Sequence, residues 1–162
     1  MGTWVTSTCD IKCNFRDSVL IKKDIGAELY PLLHCSFDGE WYEENKVLVV
    51  KATPRRVAPQ DPDEVEWYAR LTEKYKGTRI WLHRYVNHGG FEFQDFLISG
   101  GTVEKVFRYD FDGYVEYDAQ GNTISSGDFI MDDEGTAVFE FSESYPYKTA
   151  REEFFKDKEE HR

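Results

Sequence analysis

The stretch RIWLHRYVNHGGFEFQDFLISGGTVEKVFRYDFDGYVEYD, residues 79–118, decides the fold. In Arg79–Asn87 the alternation sets Trp81, His83 and Tyr85 on one face of a strand and Ile80, Leu82, Arg84 and Val86 on the other. His88-Gly89-Gly90 leads from there to Phe91–Ile98, where Phe91, Phe93, Asp95 and Leu97 share a face. Ser99-Gly100-Gly101 leads to Val103–Phe111, and Asp112-Gly113 to Tyr114–Asp118. Glycine beside Asn, Asp or Ser between alternating apolar runs marks a hairpin, because tight turns need positive φ. Repeated this often, the signal predicts an antiparallel meander. Ala119-Gln-Gly-Asn122 then precedes two further strands, near Asp128–Met131 and Thr136–Phe141.

Upstream, Asp61–Lys76 has the marks of a helix. Asp61 suits the cap, Pro62 the first turn, and Asp63 and Glu64 the positive end of the dipole. Val65, Tyr68, Leu71, Thr72 and Tyr75 share one face, Glu66 and Arg70 are spaced to pair, and Gly77 ends the element. The Pro-rich segment Pro54–Pro62 before it is expected to be an exposed connection, with Arg55-Arg56 as a solvated basic pair able to hold an anion. Val47–Val50 suits a buried strand within Trp41–Thr53. Asp24–Cys35 carries helical spacing interrupted by Pro31, so a short helix ending near Tyr30 is expected. Gly2–Phe15 alternates loosely as one strand, with a slip near Ser7 that suggests a bulge. At the other end, Lys148–Arg162 reads as a charged helix anchored by Phe154 and Phe155. Together these predict a single α+β domain over residues 1–162. It would be an antiparallel sheet of about six or more strands, with a helix packed on one face, a C-terminal helix, and the other face partly open.

Composition narrows the function classes. Of 162 residues 40% are hydrophobic and 16% aromatic, too many for a disordered chain. No apolar run is long enough to span a bilayer, and the N-terminus lacks the basic and apolar regions of a signal peptide, so a cytoplasmic protein is expected. Met1-Gly2-Thr-Trp-Val-Thr6 meets the loose myristoylation pattern, but no polybasic stretch follows and the segment reads as a strand. Cys9, Cys13 and Cys35 are odd in number and lack a framework spacing, which fits free thiols.

The net charge is −11, from 31 acidic and 20 basic residues. Direct contact with nucleic acid or an anionic membrane is therefore disfavoured, whereas a basic protein would be steered in. Between Tyr109 and Tyr147 there is no Lys or Arg, and the acids there include Asp110, Asp112, Glu116, Asp118, Asp132, Asp133 and Glu134. These seven are the candidate partner-binding residues, with Asp110 and Asp112 expected on one strand face and Glu116 and Asp118 on one. The plain alternative is a solvated sheet face with acidic turns. Within the block, Tyr117–Thr123 resembles one unit of the tyrosine–aspartate repeats of large secreted toxin shells. It occurs once, is mostly turn chemistry, and implies no function.

Other chemistries find less support. Asp110–Gly113 and Asp132–Gly135 are fragments of calcium loops without the full pattern. Cys9 and Cys13 on one strand would stand roughly 13 Å apart, too far to share a zinc ion, and His34 with Cys35 adds no knuckle spacing; no metal or cofactor is expected. For catalysis the candidates are His83 and His88 with Asp95, a histidine among aromatics beside a carboxylate. The aromatic face of Trp81, Tyr85, Phe91 and Phe93 lacks the basic residues that accompany base-stacking platforms, and suits protein contact instead. The expected function is a non-enzymatic acidic binding protein that occupies a basic surface of a partner, such as one that grips nucleic acid, in the manner of an inhibitor or immunity protein. A small enzyme using a pocket around His83 and His88, or a small-ligand receptor on the aromatic face, is the alternative.

Overall fold

The computed structural model describes residues 2–110, 113–128 and 145–156. In chain order the elements are β1 (Trp4–Lys12), α1 (Phe15–Glu28), β2 (Phe37–Tyr42), β3 (Val47–Ala52), β4 (Arg55–Arg56), α2 (Glu64–Lys74), β5 (Arg79–Asn87), β6 (Phe91–Ser99), β7 (Thr102–Tyr109), β8 (Gly113–Tyr117), β9 (Thr123–Asp128) and α3 (Tyr145–Phe155). Nine strands form one sheet in the order β2-β3-β1-β5-β6-β7-β8-β9, with β4 also pairing β1. Every pairing is antiparallel, and the architecture is α+β. From β5 onward the sheet is the expected meander. Its β6–β7 turn places Gly100 and Gly101 at φ +57° and +85°, as a two-residue loop twisted to match its strands requires.

Helices α1 and α2 share one face of the sheet. Ile21, Ile25, Trp67, Tyr68 and Leu71 pack with Cys9, Ile11, Leu48, Val50, Ile80, Leu82 and Ile98 in the main core. Each fully buried aliphatic side chain there contributes about 1.5–3 kcal/mol. Helix α3 lies against the opposite face, where Trp81, Phe107, Ala150 and Phe154 form a second cluster. Among the described residues no helix is long and apolar enough to cross a membrane, and the three cysteines are free.

Several local expectations are corrected. Strand β1 has no bulge at Ser7. That residue is buried in step with Val5, Cys9 and Ile11 because polar partners wait for it in the core. Helix α1 begins at Phe15, well before Asp24, since the Asn14 side chain accepts from the Asp17 amide at 2.8 Å and caps it. It ends at Glu28, so Pro31 falls beyond it. Strand β2 was not expected; Phe37, Gly39 and Trp41 are half-buried in it and Asp38, Glu40 and Tyr42 are exposed. Arg55-Arg56 is a short strand with Arg55 buried, not a solvated loop. Helix α2 is capped by Asp63, while Asp61 accepts from the Ala58 amide at 2.8 Å. The expected Glu66–Arg70 pair is formed at 3.0 Å. Strand β9 starts at Thr123, and the expected strand at Thr136–Phe141 lies outside the described residues.

Candidate functional site

Register in the meander builds a polar centre on the α3 side of the sheet. Strands β5 and β6 set His83 directly opposite Asp95, and β7 sets Phe107 on Asp95's other side. Asp95 is fully buried and its carboxylate is engaged from three directions. His83 Nδ1 lies 2.5 Å from Oδ1, Trp81 Nε1 donates to Oδ2 at 2.7 Å, and the Tyr147 hydroxyl donates to Oδ2 at 2.6 Å from α3. A carboxylate withdrawn from water needs such partners. Burial, and then the charge of Asp95, push the Tyr147 phenol far above its ordinary range, so it stays a donor. Arg151 closes the α3 side: it donates to Asp10 Oδ2 at 3.0 Å and lies 4.9 Å over the Trp81 ring. The His83 side chain is one-third exposed. With Nδ1 on Asp95, Nε2 is the ring nitrogen outside that contact. His88 is not part of this centre. It sits exposed in the β5–β6 turn, with its amide on Gly90 O at 3.1 Å.

The aromatic face divides in two. Trp81 is buried under α3 and stacks on Phe107 at 5.8 Å, so it is not a surface residue. Tyr85, Phe91 and Phe93 remain half-buried. Phe93 is the hub, with ring centroids 5.0 Å from Tyr85, 5.4 Å from Phe91, 5.4 Å from His83 and 4.7 Å from Tyr109.

Of the seven acidic candidates the described residues contain Asp110, Glu116 and Asp118; Asp112, Asp132, Asp133 and Glu134 lie outside them. Glu116 is 3% exposed, pairs with Lys105 at 3.1 Å and accepts from Ser125 Oγ at 2.8 Å, so it is an internal group of the sheet and not a docking residue. Asp118 lies past the end of β8 and organises the following turn, accepting from the amides of Gln120 and Asn122, each at 2.9 Å. Backbone bonding from Asn122 leads the causes that hold its carboxyl below the usual range. Asp110 borders a cleft of about 520 Å³ lined also by Tyr109, Tyr114, Tyr117 and the Glu92–Arg108 ion pair.

One cluster escaped the sequence. Glu64, read there as an acid at the positive end of the helix dipole, has a side chain 1% exposed between α2 and the sheet. Its Oε1 accepts from Ser7 Oγ at 2.9 Å and Arg55 Nη2 at 3.1 Å, with Arg84 Nε 3.4 Å away. Its Oε2 accepts from the Tyr30 hydroxyl at 2.8 Å, and Tyr30 meets the Tyr68 hydroxyl at 2.9 Å. Burial, reinforced by the Glu64 charge, raises both phenols and the Cys9 thiol well above their ordinary values. The slip of alternation at Ser7 was its one trace in the sequence, since a polar residue at a core position implies a buried partner. Among the described residues no group of three or more His, Cys, Asp or Glu side chains is arranged to hold a metal ion. No family model matches the chain, nor does any curated protein or solved structure.

Proposed function

We propose that the protein is a non-enzymatic acidic binding protein whose β7–β9 end docks on a basic surface of a partner protein, as an inhibitor or immunity-type protein does. The observation that carries this reading is charge segregation beside an aromatic cleft. Between Tyr109 and Tyr147 lie ten of the 31 acidic residues and none of the 20 Lys and Arg, so this stretch accounts for nearly all of the net −11. The cleft bordered by Asp110, Tyr109, Tyr114 and Tyr117 lies at the start of that stretch. Tyrosine rings beside carboxylates suit an arginine or lysine side chain, through cation–π contact and charge-assisted hydrogen bonds. A partner that ordinarily grips nucleic acid would meet carboxylates where it expects phosphates. Immobilised protein is expected to retain one basic protein from a lysate of its source and to release it as salt rises. The double substitution Asp110→Lys with Asp118→Lys should abolish retention. Retention that is indifferent to salt and to both substitutions removes the proposal.

The 2.5 Å contact between His83 and Asp95 favours a second reading, in which His83 Nε2 is a general base for a ligand resting on Phe93 and Tyr85. Turnover of any member of an ester and phosphoester panel, lost in His83→Ala, would support it. Equal rates in the two proteins would exclude it.

A further inference from the structure

On the opposite side of the charge map lies a cavity of about 590 Å³, within the range of small-ligand sites. It is formed where the end of β1, the start of α1, the segment between α2 and β5, the β6–β7 turn and the end of α3 meet. Among the described residues five cations line it, Lys12, Lys46, Lys76, Arg79 and Lys156, against one acid, Asp17. In a chain of net charge −11, so many cations around one concave surface make a local positive potential that attracts an anion.

Two of the cations are held in place by the fold. Lys12 Nζ donates to the Phe155 carbonyl at 3.0 Å, and Arg79 Nη2 to the Phe154 carbonyl at 2.6 Å, both at the C-terminal end of α3. Lys46 pairs with Glu43 at 3.1 Å in an exposed contact that a stronger anion can displace. The first turn of α1, a helix of 14 residues, also borders the cavity at Asn14 and Asp17.

The independent pointer to a ligand is Thr78. It lines the cavity, is 2% exposed, and its Oγ1 has no hydrogen-bond partner among the described residues. A buried hydroxyl without a partner is costly and calls for an explanation. The hydroxyl oxygen is itself covered, and turning it toward a phosphate oxygen at this wall would supply the missing bond. Among the described residues lining the cavity none is aromatic, so there is no ring on which a nucleobase could stack. We infer that this cavity binds a small non-aromatic anion carrying two or more phosphate groups, the chemical class of pyrophosphate. The site is separate from the acidic cleft, and its occupancy does not depend on the docking proposal.

Calorimetric titration of the full chain with inorganic pyrophosphate at fixed ionic strength tests it. Saturable binding at one site is expected. Thr78→Val removes the hydroxyl while keeping the shape, and should weaken binding about tenfold. Lys76→Ala and Lys156→Ala should each weaken it severalfold, and Lys23→Ala, an exposed lysine outside the cavity, should leave it unchanged. Circular dichroism confirms that each variant is folded. Absence of saturable binding to the folded wild-type protein overturns the inference. So does a Lys23→Ala effect as large as that of Lys76→Ala, which would mark non-specific attraction.

Discussion

Replacing Glu64 with glutamine would leave the Arg55 guanidinium, 4% exposed, and the Arg84 side chain, 19% exposed, without their counter-charge. Breaking a buried pair from one side costs about 3–5 kcal/mol, most of it the penalty of the stranded cation. Urea unfolding followed by tryptophan fluorescence is therefore expected to show Glu64→Gln as severely destabilised. Arg70→Ala, which breaks an ion pair exposed on both sides, should fall within about 0.5 kcal/mol of wild type. The contrast explains what was hidden at this scale. Glu64 and Glu66 both stand in the first turn of α2 and both look like surface acids, yet one is buried and the other is not. What separates them is the presence of Ser7, Arg55 and Arg84 from β1, β4 and β5, and no local pattern in the sequence carries that. His83 and Asp95 were easier to find, because strand alternation and a short hairpin between their strands bring them face to face.

Between elements, Asp24 is the polar link from α1 to α2. Lys74 Nζ and the Tyr75 hydroxyl donate to its Oδ2 at 2.9 and 2.6 Å. Partial burial pushes its carboxyl upward, but the bonds from Tyr75 and Lys74 outweigh this and leave the group below its ordinary value. A carboxylate whose pKa is lower folded than unfolded stabilises the fold above the unfolded value, and that contribution disappears as pH falls through the folded one. The urea midpoint of wild type should thus decline as pH falls below about 4 more steeply than that of Asp24→Asn. A pair of superimposable curves would show that the link contributes nothing. Elements differed in how readily the sequence revealed them. Hairpins β5–β6 and β6–β7 were legible because glycine turns and period-two alternation are local. Helix α1 was missed over most of its length because its outward side carries Val19 and Leu20 while its buried side includes Ser18. The apolar residues do not gather into one stripe, and Pro31 drew attention to the wrong end. Strand β2 was missed because its inward row includes Gly39, which interrupts an apolar alternation.

Across the whole molecule, the chain carries a stretch with ten acids and no Lys or Arg between Tyr109 and Tyr147, and a cation-lined cavity where the end of β1 meets the C-terminal end of α3. The first is legible in the sequence, since no Lys or Arg interrupts it, and the second is concealed there, since Lys12, Lys46, Lys76 with Arg79, and Lys156 come from four separate places in the chain. The same topology has a consequence for synthesis. Strand β1 lies inside the sheet, yet its partner β5 begins at Arg79, some 70 residues later, whereas β5 to β9 join through short turns. A nascent chain halted before Arg79 therefore presents β1 with one side unpaired, and its β-branched and aromatic neighbours lack a cover. Stalled ribosome complexes of increasing length should remain protease-sensitive until β5 and β6 have cleared the exit tunnel, then gain protection in one step. Gradual protection from the first 60 residues onward would mean that the N-terminal part folds by itself. Translation speed across the codons for α2 and β5 is then the interval in which this protein is most exposed to chaperones and to aggregation.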